Sequence, residues 1–343
     1  MNTIHRAAVM FSAVAAFSLP SGAACAADAR AGVKSKADGA ATTHRYPLRP
    51  VRFIVPFPPA GGTDIVGRLL AQRLTERLGQ QFVIDNRPGA ASTIGANIAA
   101  QAQGDGYTLL LVTASYAISA TYYKNLPYDP VQAFAPVSLV AAGPLLLVVH
   151  PAVAAASVQE LIALAKGAPG KLNYASGGAG GINHLAGEMF KAITGTQLVH
   201  VPYKGAGPAL TGVIAGEAQL MVATLGSSLR HVKSGKLKAL AVGGERRTRT
   251  APDLPTVSES GVPGYAAENW YGVLVPRGAP GTVISMLNEE ISAALRRDDI
   301  RAQFVKLGFE PMGSTPDEFG AHLKREIEKW ARVMKTAGVT YPR

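Results

Sequence analysis

From Val51 onward, short apolar runs alternate with stretches of helical period, and that alternation restricts the chain to an α/β architecture with a parallel sheet. Residues 51–55 suit a buried parallel strand. A helix follows, with Val66, Leu70, Leu74 and Leu78 recurring every four residues, Thr63 or Asp64 to cap its start and Gly79 its end. A strand at 82–84, a turn at 86–89, a helix at 93–102 and a strand at 107–113 complete a first set. A second set contains helices at 158–165, 182–194 and 208–215 and strands at 172–175, 198–201, 220–223 and 239–242. After Pro276 the pattern is helical only, at 283–297, 298–307 and 316–337. Two apolar strands, 145–149 and 271–275, sit between the sets. The chain is therefore expected to form two lobes and to cross between them twice: lobe one from 46–143 and 276–343, lobe two from 144–275, with the crossing strands as a hinge. There is no fixed-period repeat and no coiled-coil heptad pattern.

The N-terminus stands apart from this pattern. Residues 1–6 carry one firm positive charge, residues 7–19 are apolar but too short to span a bilayer, and Ala24-Cys25-Ala26 is a small-residue cleavage signal. Residues 1–26 are thus expected to be a secretory signal peptide. Residues 27–45, rich in Ala, Gly, Lys and Thr, read as a disordered leader. Cys25 is the single cysteine, so cleavage after Ala26 leaves no thiol and no disulfide framework. Cleavage before Cys25 would instead leave a lipidated terminus, although Gly22 stands where lipoprotein signals usually carry Leu or Val. No later window reaches a membrane-spanning length of apolar residues. The expected product is exported, soluble and periplasmic.

The formal net charge is +11, and +10 without residues 1–26, which contribute only Arg6. The cations are scattered, with Arg246, Arg247 and Arg249 the densest group, and no nucleic-acid-binding motif is present. A positive field favours encounter with small anions, and a solvated basic surface accounts for the same charge. The phosphate-binding P-loop pattern does not occur. The dinucleotide fingerprint fails because Asn183 and Leu210 stand where the third glycine should follow Gly178/Gly180 and Gly205/Gly207. The nucleophile elbow fails at Ser176, since Tyr174 replaces its first glycine. His184 and Glu188 are four residues apart but have no third ligand, so they read as a surface or interlobe pair. No metal, cofactor or catalytic residue is expected, and the chain is not expected to be an enzyme.

What remains is a repeated geometry. Each set has a strand, a glycine-rich turn and a helix start: Pro58-Pro-Ala-Gly61-Gly62 in the first, Ser176-Gly-Gly-Ala-Gly-Gly181 in the second. Helix N-termini offer free N–H donors and partial positive charge, and in open α/β sheets ligands lie beyond the carboxyl ends of strands. Plain strand–helix turns would explain either one alone. Together, in an exported two-lobed chain, they suggest a clamp for an anion.

Several ordered stretches carry a resemblance: Val55-Pro-Phe…Gly61-Gly62-Thr63-Asp64, Asp85-Asn-Arg-Pro-Gly89, Gly104-Asp-Gly-Tyr-Thr-Leu-Leu110, Asn173-Tyr-Ala-Ser-Gly177, His200-Val-Pro-Tyr-Lys-Gly205, Pro252-Asp-Leu-Pro-Thr256 and Trp270-Tyr-Gly-Val-Leu-Val-Pro276. On these the chain resembles the solute-binding receptors of the tripartite tricarboxylate transporter family, the Bug or TctC-like proteins. The resemblance implies a type II periplasmic binding protein fold, two lobes closing on a small organic anion, a mono- or dicarboxylate, for delivery to membrane transporter subunits. The same clamp could serve a signalling partner instead, or act as an orphan receptor. It implies a monomer without cofactor, metal, nucleic acid or integral membrane segment. Residue by residue, it points to Ala60, Gly61 and Gly62, Ser92 and Thr93, Ser115 and Tyr116, Ser176, Gly177 and Gly178, and Tyr203 as ligand contacts. Thr224 stands near a position where many members carry an acid; its loss there disfavours an ammonium-bearing ligand. Asp64 and Arg87 read as structural, and Trp270 as hinge, ligand or core.

Overall fold

A computed structural model describes residues 46–339, so the expected signal peptide, Cys25 and leader lie outside the described residues. Strand β1 (Val51–Val55) leads into α1 (Gly62–Leu78), then β2 (Phe82–Asn86), a 3-10 turn at Ala90–Ser92, α2 (Thr93–Ala100), β3 (Thr108–Thr113) and α3 (Ala114–Tyr122). β1 pairs in parallel with β2 on one side and β3 on the other. Leu109, Leu110, Leu111 and Val112 of β3 are all fully buried, because helices cover both faces of the sheet. Gly79 ends α1 in the left-handed region (φ 71), as expected of a C-cap.

The long strand β4 (Phe134–Val149) serves two sheets. Its first part, Phe134 to Pro144, pairs antiparallel with β9 (Glu268–Pro276), which also pairs with β3. From Leu145 to Val149 it pairs with β7 (Leu220–Thr224) and β8 (Lys238–Val242). The second sheet is completed by β5 (Asn173–Ser176) beside β7 and by β6 (Val199–Pro202) at its edge. Helices α4 (Val158–Gly167), α5 (Ile182–Thr194), α6 (Ala206–Ile214) and α7 (Leu225–Lys233) belong to this second lobe. The chain returns to the first lobe through β9, then α8 (Gly281–Leu295), α9 (Asp298–Lys306), the short β10 (Glu310–Pro311) against β4, and α10 (Pro316–Ala337).

The architecture is the expected α/β type II periplasmic binding protein fold, with two lobes joined by two strand connections. The crossings differ in detail from the sequence pattern. Residues 268–275, placed above at the end of lobe two, hydrogen-bond along β3 and the first part of β4. Gly143 and Pro144 lie opposite Asn269 and Glu268, which places the two crossings side by side. Trp270 is core: it is buried, and its Nε1 donates to Glu326 of α10, 3.0 Å away, which also accepts from Trp330. Helices α3 and α7 and strand β10 are not among the elements assigned from the sequence, although Leu225, Leu229 and Val232 give α7 a helical period.

Candidate ligand cleft

The first cradle is the turn between β1 and α1. The helix begins at Gly62 with Gly61 as N-cap, and no side chain caps it. Thr63 and Asp64 therefore lie inside the first turn rather than at the cap expected for one of them. Asp64 instead acts as a structural anchor. Its buried carboxylate accepts from the Ala60 N–H (2.9 Å), Arg68 Nε (2.8 Å) and Asn86 Nδ2 (2.9 Å). Burial raises its pKa, but hydrogen bonds from Arg68, Asn86 and Ala60 outweigh it and hold the carboxyl below its ordinary value. The first N–H groups of α1 have no intrahelical acceptor by geometry, and they open onto the exposed Ala60–Gly61–Gly62 turn.

Strain falls in this turn and in the turn before α2. Ala60 (φ 63), Ala90 (φ 44), Ala91 (φ 49) and Ser92 (φ 82) are the four non-glycine residues at positive φ among those described. Such backbone costs about 1–2 kcal/mol per residue and concentrates at binding sites. Ser92, 2% exposed, has a hydroxyl with no hydrogen-bond partner. Thr93 is buried beside it, its hydroxyl donating to the Ala90 carbonyl at 2.9 Å. A second orphan is Asn269 Oδ1, 5% exposed, on β9. Asn269 and Thr63 are the polar neighbours of the Tyr271 hydroxyl, which lies against Gly62. Buried oxygens are rarely left unpaired, and the Tyr128 hydroxyl is a third such oxygen among the described residues. Asn269 escaped the sequence reading, which begins that strand at Tyr271 rather than at Glu268.

The second cradle is built differently. Ser176, fully buried at the end of β5, has its Oγ 2.6 Å from His200 Nε2 and accepts from the Gly178 N–H at 3.2 Å. Gly177 packs so closely on the Ala206 backbone that a Cβ would lie 2.7 Å from its nitrogen, and Gly178 has φ 128. Only glycine meets both demands. The His200 ring stacks between Tyr174 (4.9 Å) and His184 (4.1 Å). His184 Nδ1 accepts from the Gly180 N–H at 3.2 Å, while Glu188 is taken by the Tyr174 hydroxyl and by Lys191 at 2.8 Å. The spaced His184/Glu188 pair is thus a buried structural pair with separate partners, not a surface pair. Burial, then the charge of His200, hold His184 down to about 4; burial lowers His200 too.

The structure brings the two sides together at Ser115. Its Oγ accepts from the Ile182 N–H at the start of α5, 3.2 Å away, and Tyr122 of α3 lies over Gly180. Thr113 caps α3 by accepting from the Ser115 N–H at 3.2 Å. Two expected contacts turn elsewhere. Tyr116 is fully buried and donates to the Pro130 carbonyl, packed with Tyr128 and Phe134. The Tyr203 side chain lies over Gly212 and donates to Glu217 at 3.0 Å; its backbone meets the cradle, the N–H holding the Ser176 carbonyl and the carbonyl lying near Gly178. Thr224 begins α7, its hydroxyl 2.7 Å from that of Ser227. Two cavities, of about 400 and 640 Å3, are lined by none of these residues.

Two lobes on a shared through-strand, each presenting a glycine-rich helix start at the carboxyl ends of its strands, define a periplasmic binding protein of type II. The chain belongs to the tripartite tricarboxylate transporter family receptors, whose family model matches residues 66–339. It is 37% identical over 295 residues to protein BugT of Bordetella pertussis, covering 85% of this chain and 90% of that one. Among solved structures it is similar to an R. palustris protein with adipate (TM-score 0.82, 38% identity, 86% and 99% of the two chains). It is likewise similar to MatC from Rhodopseudomonas palustris with bound malate (TM-score 0.78, 29% identity, 84% and 99%). The family is one of solute-binding receptors, and among the described residues no helix is long and apolar enough to cross a membrane.

Proposed function

We propose that the protein is an extracytoplasmic receptor that captures a small mono- or dicarboxylate between its lobes and hands it to a tripartite tricarboxylate-type transporter, without chemical conversion. The observation that carries this is the uncapped glycine-rich helix start at Gly62 in one lobe, with the Gly181 helix start of the other lobe meeting the first lobe through Ser115. The free N–H groups at the start of α1 hold a carboxylate without a cationic side chain, against the finished surface of the second cradle. On this reading Ala60, Gly61, Gly62, Ser92, Thr93, Ser115, Ser176, Gly177, Gly178 and Thr224 form the contact set, with Asn269 added. Tyr116 and Tyr203 shape the loops from behind. Ser92 can donate to a carboxylate, and Asn269 Oδ1 can accept from a ligand hydroxyl or a bridging water. The adipate and malate in the two similar structures support the ligand class.

Because Ser92, Ser115 and Ser176 are buried, a ligand reaches them when the lobes part and binds them as the lobes close. Malate against succinate, which differ by one hydroxyl, tests the pair of orphan oxygens. Calorimetry is expected to favour malate, and thermal melts to rise with each bound acid by mass action. Melting curves unmoved by a panel of mono- and dicarboxylates, adipate and malate included, would overturn the reading.

A further inference from the structure

A groove of about 640 Å3 lies one helical turn beyond the first cradle, between α1, α7 and α9. Its apolar lining is Ile65 and Leu69 from α1 with Leu225 and Leu229 from α7, and Ile65 is 38% exposed. Three cations rim it: Arg230 and Lys233 from α7 and Lys306 from α9, and no carboxylate lines it. Among the described residues none of the three makes an ion pair, whereas Arg52, Arg68, Arg73 and Arg77 each do. Each of the three sits in the last turn of its helix, where a cation is favoured by the helix dipole. The dipole accounts for a cation on each helix, but not for their meeting over one apolar surface.

The walls come from both lobes, α1 and α9 from the first and α7 from the second. At the base, Gly226 of α7 is backed directly against the Leu307 carbonyl, so closely that no side chain fits there. The groove therefore has this shape only while the lobes hold this relation. Its size is that of a small-molecule site.

We propose that this groove is a second binding site, distinct from the carboxylate cleft, for an amphipathic organic anion. An alkyl or aryl body rests on Ile65, Leu69, Leu225 and Leu229, and a carboxylate or sulfonate is held by Arg230, Lys233 and Lys306. Since its walls belong to both lobes, occupation favours the lobe arrangement in which they meet, and is coupled to the cleft by linkage.

The test uses the mature chain with anilinonaphthalene sulfonate as the fluorescent probe and dodecanoate as competitor. The probe is expected to bind saturably, to be displaced by dodecanoate, and to weaken as salt rises. R230Q/K233Q should lower probe affinity at least tenfold. K166Q/K171Q, which removes two exposed cations elsewhere on lobe two, should leave it unchanged. Circular dichroism melts of both double variants establish that each is folded. Unsaturable probe binding, equal affinity in wild type and R230Q/K233Q, or equal loss in both double variants would each overturn the proposal.

Discussion

The two cradles have the same outline and opposite internal economies. In the first lobe the turn is exposed, four non-glycine residues stand at positive φ, and Ser92 Oγ and Asn269 Oδ1 are buried without partners. In the second the strained positions are glycines, and Ser176, His200, His184 and Gly180 satisfy one another. One jaw holds strain and unmet hydrogen bonds that a ligand can relieve. The other is complete beforehand and supplies a rigid surface. Differential affinity between open and closed states needs both: a ligand must gain something on closure, and it must close onto something that does not yield.

The largest expected effect comes from breaking the rigid jaw. Gly177→Val drives a side chain into the Ala206 backbone and should destabilise the protein by about 3 kcal/mol, read from chemical denaturation, while abolishing carboxylate binding. Unchanged stability would mean that the close approach is not maintained in solution.

Acid should attack the same jaw. His184 titrates near 4 in the fold against an ordinary value of 6.5, so the unfolded chain binds more protons between those values. Stability should therefore fall as pH drops from 6.5 towards 4, with His184 contributing a loss of about 3 kcal/mol and nothing above 6.5. His184→Gln isolates the contribution: its stability curve should be flatter across that interval, and parallel curves would contradict the assignment.

The paired serines sharpen the comparison further. Ser92→Ala removes a hydroxyl that bonds to nothing in the free protein, so its melt should stay within about 0.5 kcal/mol of wild type. Its carboxylate affinity should drop about tenfold, or about 1.4 kcal/mol. Ser176→Ala should cost stability as well as affinity, by about 1–2 kcal/mol, because it strands His200 and the Gly178 N–H. If the two variants lost stability equally, the contrast between a waiting jaw and a finished one would collapse.

The smallest effect is a gain. Ala60→Gly relieves the left-handed backbone at φ 63 and should stabilise the free protein by about 0.5 kcal/mol, net of the entropy that glycine adds to the unfolded chain. A destabilised variant would show that the Ala60 methyl does packing work that its exposure conceals.

Local pattern by itself determined the alternation of elements, the end of α1 at Gly79 and of α5 at Thr194, and the two glycine-rich turns. These follow from period and backbone conformation, which neighbours in sequence dictate. The ordered matches to a receptor family added the fold and the class of ligand. Tertiary structure alone decided which side of the seam β9 joins, because strand pairing is a long-range choice between two sheets that both accept an apolar strand. It alone turned Tyr116 and Tyr203 away from the cleft, since a side chain follows the backbone it packs on. It alone exposed Asn269, because an unpaired oxygen is defined by every neighbour that fails to reach it.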